Sequence, residues 1–149
     1  MISALLGRAA DAREFFADAL SLAEENDNDA DRGYAWCSLA RLELEQGEPD
    51  RAEAAALRAL EFLADRPDHA PEAANALLVF GGALRELGRL DEAAEALTRA
   101  ERLLGGYEAP GRLASVWTAQ AELAVAAGEG ERGVELYRRA VELLQDTHF

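Results

Sequence analysis

The sequence predicts an all-α fold, in which antiparallel helix hairpins stack as an α-solenoid of about seven helices. The first observation is composition: 50% of the 149 residues are hydrophobic and only four are prolines, which favours helix along almost the whole chain. The second is a repeat, because glycines recur at intervals of about 40 residues, a period typical of stacked helical hairpins. These glycines are Gly7, Gly47, Gly88 and Gly128. The length suits one ordinary domain with its own core.

Small residues follow each of these glycines at fixed offsets. Five residues after a glycine come Ala12, Ala52, Ala93 and Gly133, and seven residues further on come Ala19, Ala59, Ala100 and Ala140. Positions seven apart lie on one face of a helix, and small side chains there allow two helices to approach closely. Each copy of the repeat is therefore predicted to contain a helix that ends near the glycine, a short turn, and a second helix that packs against the first.

The repeat sets the predicted helices in order. Residues 8–25 form the second helix of a truncated leading repeat, and the later helices pair as 31–46 with 50–64, 71–87 with 90–105, and 111–127 with 130–146. Pro49 and Pro71 suit the first turns of their helices, while Pro67 and Pro110 are expected in the connections. The whole is one predicted domain, divided into 1–28, 29–68, 69–109 and 110–149.

Aromatic and small residues at recurring positions carry a resemblance to a known family. First helices offer Trp36 with Leu39 and Ala40, Leu77 with Phe80 and Gly81, and Trp117 with Gln120 and Ala121; second helices offer Ala12 with Phe16 and Gly133 with Tyr137. The pattern resembles the tetratricopeptide repeat over nearly the whole chain, with Glu43 where that family has Tyr. The longer period is similar to that of repeats in some bacterial regulators and in kinesin light chains. The resemblance implies a right-handed solenoid with a concave, partner-binding groove. The shared repeat position of Trp36 and Trp117 predicts two core residues.

First helices line the groove in that family, so the register implies which residues face a ligand. The implied groove residues are Tyr34, Cys37, Arg41, Leu44, Asn75, Leu78, Gly82, Arg85, Ser115, Thr118, Glu122 and Val125. Arg41 and Arg85 are the charges expected to carry binding, because arginine suits carboxylates. Gly82 is expected to serve close helix packing, and a dent in the groove floor is the other interpretation. The family's carboxylate clamp for chaperone tails needs lysine, which this sequence lacks.

Charge and composition exclude several classes of function. The formal net charge is −14 at pH 7 and no basic run occurs, so we expect no nucleic acid among the partners. The most apolar run, residues 76–84, is too short to span a bilayer, so we expect no membrane association. The single cysteine, Cys37, excludes an internal disulfide and favours a reducing cytoplasm. All 15 basic residues are arginines, which is typical of a GC-rich bacterial genome.

No group of residues predicts a catalytic, metal or cofactor site. Residues 27–33 resemble the start of a calcium loop, but Arg32 and Ser38 occupy the positions that need Gly and Glu, so helix capping is the expected role. His69 and His148 are expected in solvated segments without a second ligand. An enzyme is therefore the least favoured class of function, with no metal and no cofactor expected.

Both ends of the predicted array carry apolar faces that lack a neighbour. The residues expected to mediate self-association are Phe15, Leu22, Leu136, Val141 and Leu143. Terminal repeats usually have a polar outer face, so we expect either a homodimer through the terminal helices or an array that continues in a longer chain. The preferred function is a scaffold for a protein or peptide partner of unknown identity. The alternative is the sensing portion of a larger bacterial transcriptional or signalling regulator.

Overall fold

The computed structural model describes residues 2–146, and the side chains of residues 7–146. These residues form seven α-helices and one 3₁₀ turn without any strand, so the predicted all-α class is confirmed. The elements are α1 (Ile2–Glu25), α2 (Asp29–Glu45), α3 (Pro49–Leu63), the 3₁₀ turn (Pro67–His69), α4 (Ala70–Glu86), α5 (Leu90–Leu104), α6 (Pro110–Ala126) and α7 (Gly130–Asp146). Pro110, expected in a connection, begins α6 instead. None of these helices combines the length and apolarity needed to cross a lipid bilayer.

The first helix differs from the prediction, which began it at residue 8. α1 runs from Ile2, so Gly7 continues the helix instead of breaking it. The turn glycines Gly47, Gly88 and Gly128 have φ angles of 73°, 79° and 83°, whereas Gly7 is not among the residues with positive φ. Glycine permits a left-handed turn but does not require one, so the first copy of the repeat has the spacing without the turn.

A Schellman turn closes each of the three hairpins. The bond that defines it runs from the Glu48 N–H to the Glu43 carbonyl at 2.9 Å in the first hairpin, and corresponding bonds follow Gly88 and Gly128. Glycine suits the left-handed position because it has no Cβ to meet the carbonyl beside it. Asp27, with a φ of 49°, occupies the corresponding position between α1 and α2.

The hairpins stack with their first helices side by side. α2 pairs with α3, α4 with α5 and α6 with α7, while α3 also packs on α4 and α5 on α6. α4 contacts both α2 and α6, so these three helices form one layer, and α3, α5 and α7 each pack against helices of this layer. A Cβ at Gly81 would lie 2.9 Å from the Leu97 side chain, and one at Gly133 would lie 2.7 Å from Val125. Small residues at these positions therefore allow the two helices of a hairpin to meet.

Leucine and alanine supply most of the core. The repeated alanines are fully buried, as their offsets predict, at Ala52, Ala59, Ala93 and Ala100. Trp36 and Trp117 are both partly buried, and Trp36 packs against two clusters of the core, so the expected core role is met only in part. The Arg58 guanidinium lies 5.5 Å from the centre of the Trp36 ring, and that of Arg139 lies 4.6 Å from the centre of the Trp117 ring. Each tryptophan therefore carries an arginine of its own hairpin's second helix over its ring.

A buried ion pair joins α1 to α2. Glu43, at the position where the resembled family has Tyr, is 4% exposed. Its two carboxylate oxygens accept hydrogen bonds from Arg13 Nε at 2.6 Å and Nη2 at 3.2 Å. The hydrogen bond to Glu43 raises the pKa of Arg13, although burial acts against it. This bidentate contact explains how a charged residue occupies that position, and it anchors α1 on the stack.

Candidate ligand groove

Two adjoining clefts run along the layer of first helices, and together we call them the groove. The larger cleft has a volume of about 420 Å³, and most of the predicted ligand-facing residues line it: Arg41, Leu44, Leu78, Gly82, Arg85, Ser115, Thr118 and Glu122. The smaller cleft, of about 110 Å³, is lined by Tyr34, Cys37 and Asn75 together with Ser38, Glu72 and Arg41. Arg41 lines both clefts, so the two clefts adjoin at this side chain. Val125 is 54% exposed and lines neither of them, contrary to expectation.

Helical periodicity explains why these residues meet. Residues three or four apart share one face of a helix, and α2, α4 and α6 lie side by side. The prediction did not include Arg112, which precedes Ser115 by three residues on α6 and so shares its face, although Arg112 lines neither cleft. The same periodicity could have found Arg112 if the count had started one turn earlier. It could not have found Leu144, which belongs to α7 and also lines the larger cleft.

The two predicted ligand-binding arginines differ in their surroundings. Arg85 Nη2 lies 3.7 Å from Glu122 Oε2, so this ion pair joins α4 to α6 within the groove. Among residues 7–146, no carboxylate lies within 4 Å of the Arg41 guanidinium. Arg41 therefore has no ion-pair partner within this distance, although Glu45, one turn further along α2, lines the same larger cleft.

Arg112 adds a second positive charge near the smaller cleft. Burial raises the pKa of the Cys37 thiol, while the positive charges of Arg41 and Arg112 act in the opposite direction. Burial also raises the pKa of the Tyr34 hydroxyl, and the carboxylate of Glu72 adds to that rise while Arg112 opposes it. Arg112 lines neither cleft, but its positive charge acts on both of these side chains of the smaller cleft.

His69 borders the smaller cleft, whereas the sequence predicted a solvated histidine. Its Nδ1 lies 2.8 Å from the Tyr34 hydroxyl oxygen, and the two rings meet edge to face with centres 5.8 Å apart. The same Nδ1 is 4.0 Å from the Glu72 carboxylate, and the His69 side chain is 28% exposed. The 3₁₀ turn between two hairpins brings His69 there, a placement that helical periodicity does not predict. His148 lies outside the described residues.

Gly82 agrees with both expected interpretations, close helix packing and a dent in the groove floor. A Cβ there would lie 3.0 Å from Leu44 Cδ2, so α4 approaches α2 closely at this point. Gly82 also lines the larger cleft. The absent side chain therefore allows close packing and leaves space in the groove floor.

Residues 27–33 have the predicted role in capping α2, although the capping side chain is that of Asn28 and not of an aspartate. Asn28 Oδ1 accepts a hydrogen bond from the Asp31 N–H at 3.1 Å. Asp29 accepts hydrogen bonds from Arg32 at 2.8 Å and from Arg66 at 2.7 Å. The side chains that resembled a calcium loop therefore satisfy the helix N-terminus and two arginines.

One of the predicted self-association residues in the terminal helices is buried in the structure. Leu136 is 8% exposed and packs with Ala121 and Ala124 of α6, so its assignment to an outer face is wrong. A helical wheel shows an apolar face but not which part of it the hairpin partner covers. The remaining four differ in exposure: Phe15 is 67%, Leu22 57% and Val141 52% exposed, and Leu143 is partly buried.

Comparison with known proteins supports the architecture. The structure is similar to the crystal structure of BtubC (BKLC) from P. vanneervenii, with a TM-score of 0.78 and 21% sequence identity. The match covers 95% of this chain and 59% of that protein, so this chain spans less than two thirds of its length. No protein-family model matches the sequence, and no curated protein matches it. The similarity shows a shared fold and confirms the predicted stack of helix hairpins.

Proposed function

We propose that the protein is a non-enzymatic scaffold that binds an extended segment of a partner protein in the groove. The observation that supports this is the pair of adjoining clefts to which first helices of three successive hairpins contribute side chains. Such clefts offer contacts in succession along the layer of first helices, which suits an extended chain. The tetratricopeptide-like register gives the same residues a ligand-facing role.

Arg41 and the nearby Arg112 favour a partner segment with acidic side chains, although Glu45, Glu72 and Glu122 also line the two clefts. Among residues 7–146, Arg41 has no carboxylate within 4 Å, and the positive charge of Arg112 acts on Cys37 as that of Arg41 does. Hydrogen bonds to charged groups contribute about 1.5–3 kcal/mol each to the free energy of binding, and arginine can donate two of them to one carboxylate. Arg85 already faces Glu122, so we assign it a smaller share of partner binding than Arg41.

The setting that we propose is the cytoplasm of a bacterium. The single, buried cysteine is consistent with a reducing compartment, and the exclusive use of arginine is consistent with a GC-rich genome.

Fluorescence anisotropy with two labelled peptides tests the proposal. The peptides have the same length and apolar residues, and one carries Asp and Glu where the other carries Asn and Gln. We expect the acidic peptide to bind preferentially, although the protein carries a net charge of −14. Changing both Arg41 and Arg112 to alanine should weaken binding by about 10-fold or more.

The matched control is Arg102→Ala, which removes an exposed arginine from α5, away from the groove. It should leave the affinity unchanged. Equal affinity for the two peptides, or equal losses in the groove and control variants, would count against an acidic partner in the groove.

A further inference from the structure

One position on the groove face of α4 carries no side chain. Asn75, Leu78 and Arg85 line the two clefts from this face of the helix. Gly82 lies on the same face, four residues after Leu78 and three before Arg85, so it leaves a gap between their side chains. Gly82 is partly exposed and lines the larger cleft, so a ligand can reach this gap. We call the gap the Gly82 recess.

Helix packing alone does not account for Gly82. At the neighbouring Gly81, a Cβ would lie 2.9 Å and 3.1 Å from two carbon atoms of the buried Leu97 side chain, so the hairpin needs a glycine there. Among the described residues outside its own stretch of α4, a Cβ at Gly82 would have one atom within 4 Å, the methyl carbon Cδ2 of Leu44 at 3.0 Å. Leu44 lines the larger cleft, so this methyl group can turn toward open space. Since alanine suits a helix interior better than glycine does, Gly82 points to a role besides packing.

The repeat places charged residues on both sides of the Gly82 recess. Arg41, Gly82 and Glu122 each lie six residues before the turn glycine of their hairpin, so they hold one position on three neighbouring first helices. Glu122 is paired with Arg85, whose Nη2 lies 3.7 Å from its carboxylate. Arg41 has no carboxylate of residues 7–146 within 4 Å. An acidic side chain of a partner that binds Arg41 therefore lies next to the recess.

The walls of the recess are mainly apolar. Leu44 of α2 and Leu78 of α4 lie beside Gly82, and both line the larger cleft together with Ala119 of α6. Thr118 also lines this cleft, but its hydroxyl already donates a hydrogen bond to a carbonyl of α6 at 2.9 Å. One absent Cβ leaves room for the methyl end of an aliphatic side chain, which gains free energy by leaving water. A polar group would lose its water there without a hydrogen-bond partner on the leucine walls.

We infer that the Gly82 recess binds an aliphatic side chain of the partner segment, two residues from the acidic side chain that binds Arg41. Neighbouring helices lie about 8–10 Å apart, and alternate residues of an extended chain share one side at a spacing of about 7 Å. The long arginine side chain spans the difference. Glu45 and Glu122 line the same cleft and oppose a second acidic side chain at the recess. The inference rests on the proposed function and adds the second residue type that the partner segment requires.

Four labelled peptides test the inference by fluorescence anisotropy. Three of them have a central Glu, and the residues two before and two after it are both Leu, both Asn or both Ala. Either direction of the bound chain therefore brings one of these residues to the recess. The fourth is the Leu peptide with a central Gln. The wild type should bind the Leu peptide about 3–10-fold more tightly than the Ala peptide. The Asn peptide, with side chains of similar size to Leu, should bind no better than the Ala peptide.

Gly82→Ala fills the recess and should reduce the preference for Leu over Ala to less than about 2-fold. Its fold should survive, because the added methyl group meets only the end of the Leu44 side chain, and circular dichroism checks this. The matched control is Ser115→Ala, which changes an exposed residue of the same cleft two turns before Glu122 and should leave the preference for Leu unchanged. Both variants should still prefer Glu to Gln, because Arg41 is intact.

The outcomes separate this inference from the proposed function. Equal affinity of the wild type for the Leu and Ala peptides, with Glu still preferred to Gln, would overturn the recess alone. Equal affinity for the Glu and Gln peptides would contradict the acidic partner and the spacing that depends on it. An Asn peptide that binds as tightly as the Leu peptide would show that the contact is not apolar. Full preference for Leu in Gly82→Ala would place the contact elsewhere, and loss of helicity in this variant would show that packing requires the glycine; either result would overturn the inference.

Discussion

Removing the Arg13 guanidinium should destabilise the protein, because it leaves the Glu43 carboxylate buried without a countercharge. The Glu43 side chain is only 5% exposed and receives both of its described hydrogen bonds from Arg13. Loss of one partner from a buried pair costs about 3–5 kcal/mol, but the Arg13 side chain is 34% exposed, so water can reach the vacated space. For Arg13→Met, which retains the apolar stem, we expect a loss of about 1–3 kcal/mol. For a chain of this length the melting temperature should fall by roughly 3–10 °C.

A double-mutant cycle measured by urea unfolding checks the reasoning. Glu43→Gln alone should also destabilise, because it removes the charge from the same bidentate contact. The double variant should lose less than the sum of the two single losses, with a coupling energy of about 1 kcal/mol or more. Arg13→Met within about 0.5 kcal/mol of the wild type would refute the role of this pair in holding α1 on α2.

Three further outcomes follow from the fold. Gly88→Ala should lower the free energy of unfolding by about 1–2 kcal/mol, because a φ of 79° is unfavourable for a residue with a Cβ, even though no atom lies within 4 Å of that Cβ. An unchanged free energy in chemical unfolding would mean that the turn relaxes. Gly133→Ala should lower the free energy of unfolding by about 1–3 kcal/mol, because its Cβ would lie 2.7 Å from Val125. The control is Gly130→Ala, whose Cβ would have no atom within 4 Å and which should leave the stability unchanged. Similar losses in both variants would contradict the packing argument. Burial raises the pKa of Cys37 above its unfolded value, so its contribution to stability is present below the unfolded pKa of about 8.5 and is lost as pH rises through the folded pKa. Between pH 7 and pH 10 the melting temperature should therefore fall further in the wild type than in Cys37→Ala, and equal falls would contradict this.

Helical periodicity predicted the hairpins, and the register of the resembled family implied most groove residues, because both depend on spacing along one helix. The repeated alanines have to be small where two helices meet, so sequence offsets identify them directly. The predicted helix break at Gly7 is wrong, because glycine can occupy a helix interior as well as a left-handed turn, and its spacing does not distinguish the two.

The remaining features of the groove arise from contacts between distant segments. The Arg85–Glu122 pair and the contact of His69 with Tyr34 join different helices or turns, so no local spacing reports them. Leu136 shows the same limit, because only the packed hairpin reveals which half of an apolar helix face its own partner covers.

Hydrogen–deuterium exchange with the acidic peptide bound tests most directly whether the groove is the binding surface. The account predicts slower amide exchange in α2, α4 and α6, centred on the segments around Arg41 and Arg112, with α3 and α5 unchanged. It also predicts that this protection disappears in the Arg41→Ala, Arg112→Ala variant. Protection confined to α3, α5 or the outer face of α7 would place the partner on another surface and contradict the central claim.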